Sequence, residues 1–286
     1  MNSKRVLITG SSGFLGKNIS QFLKDQGYQA KNFDLADGLD LLNENHLKKS
    51  LASVDYVCHL AAVGDVYLAA KSPKLAACVG VGGTANLIQV ANNLKNIKKI
   101  IYASTWEVYG HPNYQPIDEK HSCNPDHPYS ISKYAGELMF RSNLNHVPWV
   151  ILRLGSAYGS NMRTNAVIPL FINKAKAGEV ITIAGDGLQT RQFTHARDIA
   201  RGFQLALESK IAGEVFNIVS KESQTIKEIA EMVKSKIPVR IKYTAKRQGD
   251  VVPAMVSSEK ARRLLGWMEK VSFKDGFMEL FGFPGN

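Results

Sequence analysis

The sequence predicts an α/β fold: a doubly wound parallel sheet in the first half and a smaller α/β half that shares its core. Three observations carry this. Short apolar runs alternate with amphipathic stretches up to residue 154, as parallel strands alternate with covering helices. A glycine-rich turn, TGSSGFLG, joins the first apolar run to the first amphipathic stretch. Beyond residue 155 the elements become shorter and their alternation less regular. A chain of 286 residues can bury one large core or two intimately packed ones. The expected division is 1–154 and 155–286, with parts of 186–210 returning to the first unit.

In chain order, the expected strands of the first half are RVLIT (5–9), QAKNF (29–33), DYVCHL (55–60), KKIIYAS (98–104) and PWVILRL (148–154). Between the first two, GFLGKNISQFLKDQG places Phe14, Ile19, Phe22 and Leu23 on one helical face and ends at Gly27, a helix-terminating residue. The second half predicts a helix near 165–177, a strand at 180–183, a helix at 198–209 and a strand at 213–219. A helix at 225–236, a strand at 239–243 and a last helix from Ser257–Ser258 through EKARRLLG follow.

Composition bounds the function. Hydrophobic residues make up 44% and charged residues 21%, ordinary values for a globular protein. No apolar stretch approaches the roughly 20 residues of a membrane span. The N-terminus runs into a strand without a signal-peptide pattern, so a cytoplasmic location and no membrane partner are expected. Three cysteines, Cys58, Cys78 and Cys123, show no CxxC spacing, so neither disulfides nor a metal site are expected. The net charge of +11 comes from dispersed lysines and arginines, which favours a small anionic ligand over nucleic acid.

The glycine-rich turn names the ligand class. Gly10 permits the tight turn, Gly13 lets a pyrophosphate approach the backbone, and Gly16 allows close helix–strand packing, with Phe14 and Leu15 opening the helix. Asp34 ends the second strand about 20 residues on, where an acidic side chain accepts from adenosine ribose hydroxyls. No arginine follows closely, which favours NAD over NADP. Asp37 is the competing assignment.

These spacings resemble the extended short-chain dehydrogenase/reductase family, the NAD-dependent nucleotide-sugar epimerase/dehydratase group, along nearly the whole chain. HLAA (59–62), GTANL (83–87), ASTWEVYG (103–110) and YSISK (129–133) match its signatures in order. GDGLQTRQFTHARDIARGF (185–203), FNIVSK (216–221), RQGD (247–250) and SEKARRLLGW (258–267) continue the match. The resemblance implies a Rossmann-type sheet and NAD held by the glycine turn, Asp34, the pair Asp40-Leu41, and Leu60, Ala61 and Ala62. It implies catalysis by Thr105, Tyr129 and Lys133. A helical i, i+4 spacing puts Tyr129 and Lys133 on one face. An ammonium, with the cationic nicotinamide, would lower a phenol from its ordinary pKa of about 10 so that Tyr129 takes a proton from a sugar hydroxyl that Thr105 also reaches. Arg191 and Arg247 match the arginines that hold the nucleotide diphosphate, with Asp250 beside the second. Homodimers through the helix carrying Tyr129 and the one after GTANL are common in the family.

Three departures stand out. Gly80 occupies the position of a customary Asn, which would loosen a backbone contact near the cofactor. The segment between Asp34 and Asp55 is short, so its usual helix and strand should be trimmed. Ser156 stands where many members have Asn facing the substrate. The family's 4,6-dehydratases carry an Asp where this chain has Trp106, so the acid that drives water loss is missing. Glu107 keeps decarboxylation, or proton transfer at C5, open. Trp106 either stacks on the sugar or simply packs. The favoured reading is a UDP-sugar epimerase. Decarboxylase and 4,6-dehydratase are the alternatives, and a catalytically silent NAD-binding regulator is a further one.

Overall fold

The computed structural model describes residues 4–245 and 254–282. The first half runs β1 (Arg5–Thr9), α1 (Phe14–Asp25), β2 (Gln29–Phe33), α2 (Glu44–Leu51) and β3 (Tyr56–His59). It continues through α3 (Val66–Lys71), α4 (Pro73–Ala77), α5 (Thr84–Asn92), β4 (Lys99–Thr105), α6 (Pro128–Asn143) and β5 (Trp149–Leu154). The second half follows with β6 (Ser156–Tyr158), α7 (Val167–Lys176), β7 (Ile181–Ala184), β8 (Thr190–Arg191), β9 (Phe193–His195) and α8 (Ala196–Glu208). After these come β10 (Glu214–Ile218), β11 (Gln224–Thr225), α9 (Ile226–Lys234), β12 (Ile241–Thr244), α10 (Glu259–Leu265) and α11 (Phe273–Glu279).

Six parallel strands form the central sheet in the order β2-β1-β3-β4-β5-β10. Because alternate side chains of a strand face opposite ways, each strand feeds two cores. Val6 and Ile8 meet Ile19 and Leu23 of α1 and Phe203 and Leu207 of α8. Leu7 meets Leu47 and Leu51 of α2, Leu87 of α5 and Phe140 of α6 on the other face. β2 lies at the sheet edge because the chain from Asp34 to Asp55 keeps a short helix, α2, and lacks a strand; the expected trimming thus removes the strand alone.

The second half builds its own core from Ile168, Phe171, Ile181, Ile183, Ile229, Val233 and Phe277. Its two-stranded ladders β6–β9 and β8–β11 are two or three residues long, too short for any periodicity to announce them. Helix α11 lies beyond the last helix expected from sequence. Phe273 and Phe277, one turn apart, drive it into the core. Gly276 lets it approach Tyr158, whose hydroxyl lies 2.5 Å from where a Cβ would stand.

One expectation needs correction. α4, a π-helical turn at Cys78–Gly83 and α5 continue as one helix, Pro73–Asn92, whose 20 residues and mean hydropathy of 1.2 reach the length and composition of a membrane span. Part of its apolar surface is internal: Leu87, Ile88, Val90 and Ala91 are buried in the protein's own interior.

Helix α6 starts where Pro128 pre-sets the first-turn φ and His127 caps it reciprocally with Ser130. Gly136 lets the Tyr102 ring lie against the helix, and the Tyr102 hydroxyl donates to the Lys133 carbonyl at 3.2 Å. One turn on, Glu137 is fully buried and takes Arg153 of β5 in a forked pair, Nε at 2.9 Å and Nη2 at 2.7 Å. Ser104 of β4 donates to the same carboxylate at 2.5 Å. Removing one partner of such a pair strands the other charge, so Glu137→Gln or Arg153→Met should each cost about 3–5 kcal/mol. The double variant Glu137→Met/Arg153→Met should cost less than the sum of the two, as read from urea-denaturation midpoints.

Candidate active site

The sheet reverses its winding between β1 and β3, and the crevice beyond those strand ends is where an open α/β sheet holds a ligand. The glycine turn lines it. Gly10 has φ +71°, and a Cβ there would stand 2.9 Å from the Ala61 nitrogen. A Cβ on Gly16 would stand 2.1 Å from the Gly10 carbonyl oxygen, so the turn and helix can close only without side chains. The first turn of α1 carries no acidic side chain, and its N-cap, Gly13, makes no side-chain cap. These backbone amides suit an anion. Ser11 Oγ is buried beside them and has no hydrogen-bond partner among the described residues.

Asp34 settles against the turn: one carboxylate oxygen accepts from Ser12 N at 3.0 Å and the other from Ala36 N at 3.0 Å. Each oxygen retains a lone pair for a ribose hydroxyl. Asp37 is exposed in the short helical turn after β2, so the geometry favours Asp34. Asp40 accepts from Leu42 N at 2.9 Å, and Leu41 is buried against Gly83, where a Cβ would stand 2.4 Å from Leu41 Cδ2. Gly80 is buried against Ser132 of α6, with 3.0 Å from a notional Cβ to the Ser132 side chain, so a larger residue would push the two helices apart.

Below the crevice runs a polar string. Thr84 donates to the Gly80 carbonyl at 2.6 Å, so its oxygen faces His59 Nε2, at 3.0 Å, as an acceptor. That assigns the imidazole proton to Nε2 and leaves Nδ1 to accept from the Thr9 hydroxyl at 2.7 Å. Thr9 Oγ1 in turn accepts from Leu60 N and Ala61 N, both at 3.2 Å, which fixes the HLAA strand end, Ala62 included, under the glycine turn. Burial, helped by the Lys133 charge, lowers His59 to about 3 and keeps it neutral.

Tyr129 and Lys133 share the face of α6 turned to the end of β4. Lys133 is buried, donates to the Ala103 carbonyl at 2.7 Å and lies over the Tyr102 ring. Burial lowers its ammonium to about 7, against the opposing pull of Glu137. The expected lowering of Tyr129 by Lys133 does not appear among the protein's own groups. Burial first and the Glu107 charge second push the phenol up, while a hydrogen bond with Thr105 and the Arg163 charge pull it down. Burial lowers Lys133 to about 7, so its ammonium loses its proton well before the phenol does and gives no standing charge there.

The stretch STWEVYG divides its labour. Thr105 ends β4 and its Oγ1 caps the 3₁₀ turn Trp106–Tyr109 by accepting from Glu107 N at 3.2 Å. Tyr109 turns into the core, donating to Asn217 at 2.8 Å beneath the Arg153 guanidinium. Trp106 turns the other way. It lines a cleft with Ser156, Arg191, Gln192, Val219 and Val256, and packs on Tyr109, Val219 and Val256. Gln192 bonds both backbone groups of Val256, at 2.7 and 3.2 Å, and so closes one wall of that cleft. Trp106, Ser156 and Arg191 are therefore brought together, whereas Arg247 and Asp250 lie outside the described residues.

His59, Glu137, Arg153, Arg163 and His127 escape a reading by sequence alone. Glu137 left a trace: Tyr129, Lys133 and Glu137 recur every four residues, one helical face. Arg153 and Arg163 are distant in sequence and left none.

A glycine turn at the reversal point of a parallel sheet, an acid at the second strand end and a Tyr–Lys face over the fourth define a dinucleotide-dependent enzyme of the short-chain dehydrogenase/reductase type. The chain belongs to the NAD dependent epimerase/dehydratase family, whose model matches residues 6–219. The enzyme's cofactor is NAD, and the crevice residues fit it: glycine amides and Ser11 for phosphate, Asp34 for ribose. A putative UDP-glucose 4-epimerase of Methanocaldococcus jannaschii is 30% identical over 98% of each chain. The human dTDP-D-glucose 4,6-dehydratase is 30% identical over 96% of this chain and 88% of its own. The UDP-glucuronic acid 4-epimerase of Bacillus cereus, solved with UDP-glucuronic acid and NAD, superposes with a TM-score of 0.87 at 29% identity, covering 97% of this chain and 98% of that one. The group is thus that of nucleotide-sugar epimerases, dehydratases and decarboxylases.

His59 makes stability depend on pH. Its folded pKa of about 3 lies below the ordinary 6.5, so the unfolded chain binds a proton first as pH falls. Stability should decline as pH drops through that window, and His195, lowered by burial to about 4, adds in the same direction. His59→Asn should flatten the decline, as read from denaturation midpoints above and within the window.

Proposed function

We propose that this enzyme is a UDP-sugar 4-epimerase in which Thr105, Tyr129 and Lys133 handle the C4 hydroxyl. The observation that carries the reading is Trp106. It lines a cleft with Ser156 and Arg191, at the position where the family resemblance puts an acid in the 4,6-dehydratases, which supports a reading in which water elimination lacks its proton donor while Thr105, Tyr129 and Lys133 are all present. Bound NAD supplies the reversible acceptor for the C4 hydride. Thr105 orients the hydroxyl, and Tyr129 takes its proton and returns it to the 4-keto sugar after the ring has turned. The second half serves as the substrate unit, where Arg191 meets the diphosphate and Ser156 and Trp106 line the sugar cleft. A cytoplasmic setting accords with such a substrate.

Two tests follow from this reading. Incubation with UDP-, dTDP-, GDP- and CDP-sugars should give a product of unchanged mass from the UDP-sugar. Loss of water would mark a dehydratase and loss of carbon dioxide a decarboxylase. Tyr129→Phe should abolish turnover while NAD stays bound, and full retained activity would end the proposed mechanism.

We also propose a homodimer. Tyr67 and Leu68 of α3, Leu75 of α4, and Ile131 and Leu138 of α6 are exposed apolar residues on neighbouring helices. A second copy covering this face matches the family's habit of pairing through α6. Ile131→Lys/Leu138→Lys should then halve the mass measured by light scattering, and an unchanged mass would refute the pairing.

A further inference from the structure

His127 stands two residues before Tyr129, and their rings lie nearly parallel, 12° apart with centroids at 6.1 Å. Its Nε2 faces Glu107 Oε2 at 3.3 Å, and both side chains are about one quarter exposed. Its Nδ1 accepts from Ser130 N at 3.4 Å as the cap of α6, which leaves Nε2, on the Glu107 side, as the nitrogen that carries the proton. We propose that His127, by pairing with Glu107, sets the charge that the Tyr129 phenol meets, and is a positioning residue for proton transfer at Tyr129. The inference deepens the epimerase reading and rests on it.

The argument is electrostatic. A bare carboxylate beside a phenol opposes phenolate formation, and a cation paired with that carboxylate cancels the opposition. Glu107 comes from the 3₁₀ turn after β4 and acts on both His127 and Tyr129. Asp126, on the same loop as His127, adds negative charge and itself faces His111 at 3.8 Å. Arg163, on the loop between β6 and α7, supports the phenolate and is held by Asp65 at 2.7 Å. Lys133, one turn along α6, gives its ammonium to Ala103. The end of a helix where His127 sits disfavours a cation, so Glu107 is what makes its protonation favourable; contact with Glu107 is the leading cause that raises His127, with burial opposing. A protonated His127 makes the couple neutral, whereas a neutral one leaves a net negative charge against Tyr129.

The test uses the NAD-loaded protein and two readouts: the phenolate absorbance of Tyr129, taken as the difference from Tyr129→Phe, and the pH profile of turnover. His127→Asn and His127→Ser both keep a capping side chain while deleting the imidazole; either serves if the other fails to fold. Over the pH range in which the parent His127 is protonated, each should move the Tyr129 titration and the acid limb upward by about one unit, roughly a tenfold loss of turnover below the limb. Glu107→Gln should move both downward, and the double variant should coincide with Glu107→Gln. An unmoved titration in the His127 variants overturns the proposal, as does an equal upward shift in the Glu107→Gln background. Because the absorbance reports on the phenol without any sugar, it still judges His127 if the epimerase assignment itself fails.

Discussion

Glu137 and Arg153 are both removed from water, yet the Glu137 carboxylate is met by both the Arg153 fork and the Ser104 hydroxyl. Two charges buried so completely are tolerable only in good geometry, so the pair dictates how α6 lies across β4 and β5. The consequence is a ladder. Glu137 meets Ser104, Lys133 one turn earlier meets the Ala103 carbonyl, and Tyr129 another turn back meets Thr105. The three helix residues are one turn apart, and their partners are the neighbouring strand-end residues Ala103, Ser104 and Thr105, though not in the helix's order. The Tyr129 phenol is thereby aimed by a contact two turns away on the same helix.

The cofactor side of the crevice is stitched by a different device. Thr9, His59 and Thr84 connect β1, β3 and α5 through neutral hydrogen bonds, and the absence of a Cβ at Gly80 and Gly83 lets the helix come close. A neutral string suits this place because any buried cation would stand next to Lys133. The imidazole can play its part only unprotonated, with one nitrogen donating and the other accepting. Here a charge pair positions the Tyr129–Lys133 face and a neutral string holds the strand ends under the glycine turn, and the two meet where α6 crosses the π-helical turn at Gly80, whose missing Cβ leaves room for Ser132.

Much of this was legible in the sequence, and the reasons are physical. The glycine turn, Asp34 and the Tyr–Lys spacing are local patterns whose chemistry requires those residue types at those intervals. The strands of the central sheet were legible for the same reason, being continuous apolar runs buried on both faces. What stayed hidden is non-local or very short. The two-residue ladders have no periodicity, α11 depends on a glycine fitting under Tyr158, and Arg153 pairs with a residue on another element. The electrostatics of Tyr129 misled for a related reason: spacing shows that Lys133 shares its face, but only the fold shows that the ammonium is taken by Ala103 and that Arg163 arrives from the second half.

On the proposed reading, the 3₁₀ turn after β4 decides which way a 4-keto sugar leaves the site. Elimination needs an acid at the position of Trp106, which here is an indole packed on Tyr109, Val219 and Val256. Proton removal at C5 needs a carboxylate free to reach the sugar, but the one carboxylate on this turn, Glu107, has an oxygen turned to His127. If the enzyme is the proposed epimerase, the first exit lacks its donor, the second is restrained by a pair, and the proton and hydride return to C4. On the proposed reading, selectivity among the chemistries of this fold therefore comes less from an added catalytic group than from what stands at one position and what holds the next.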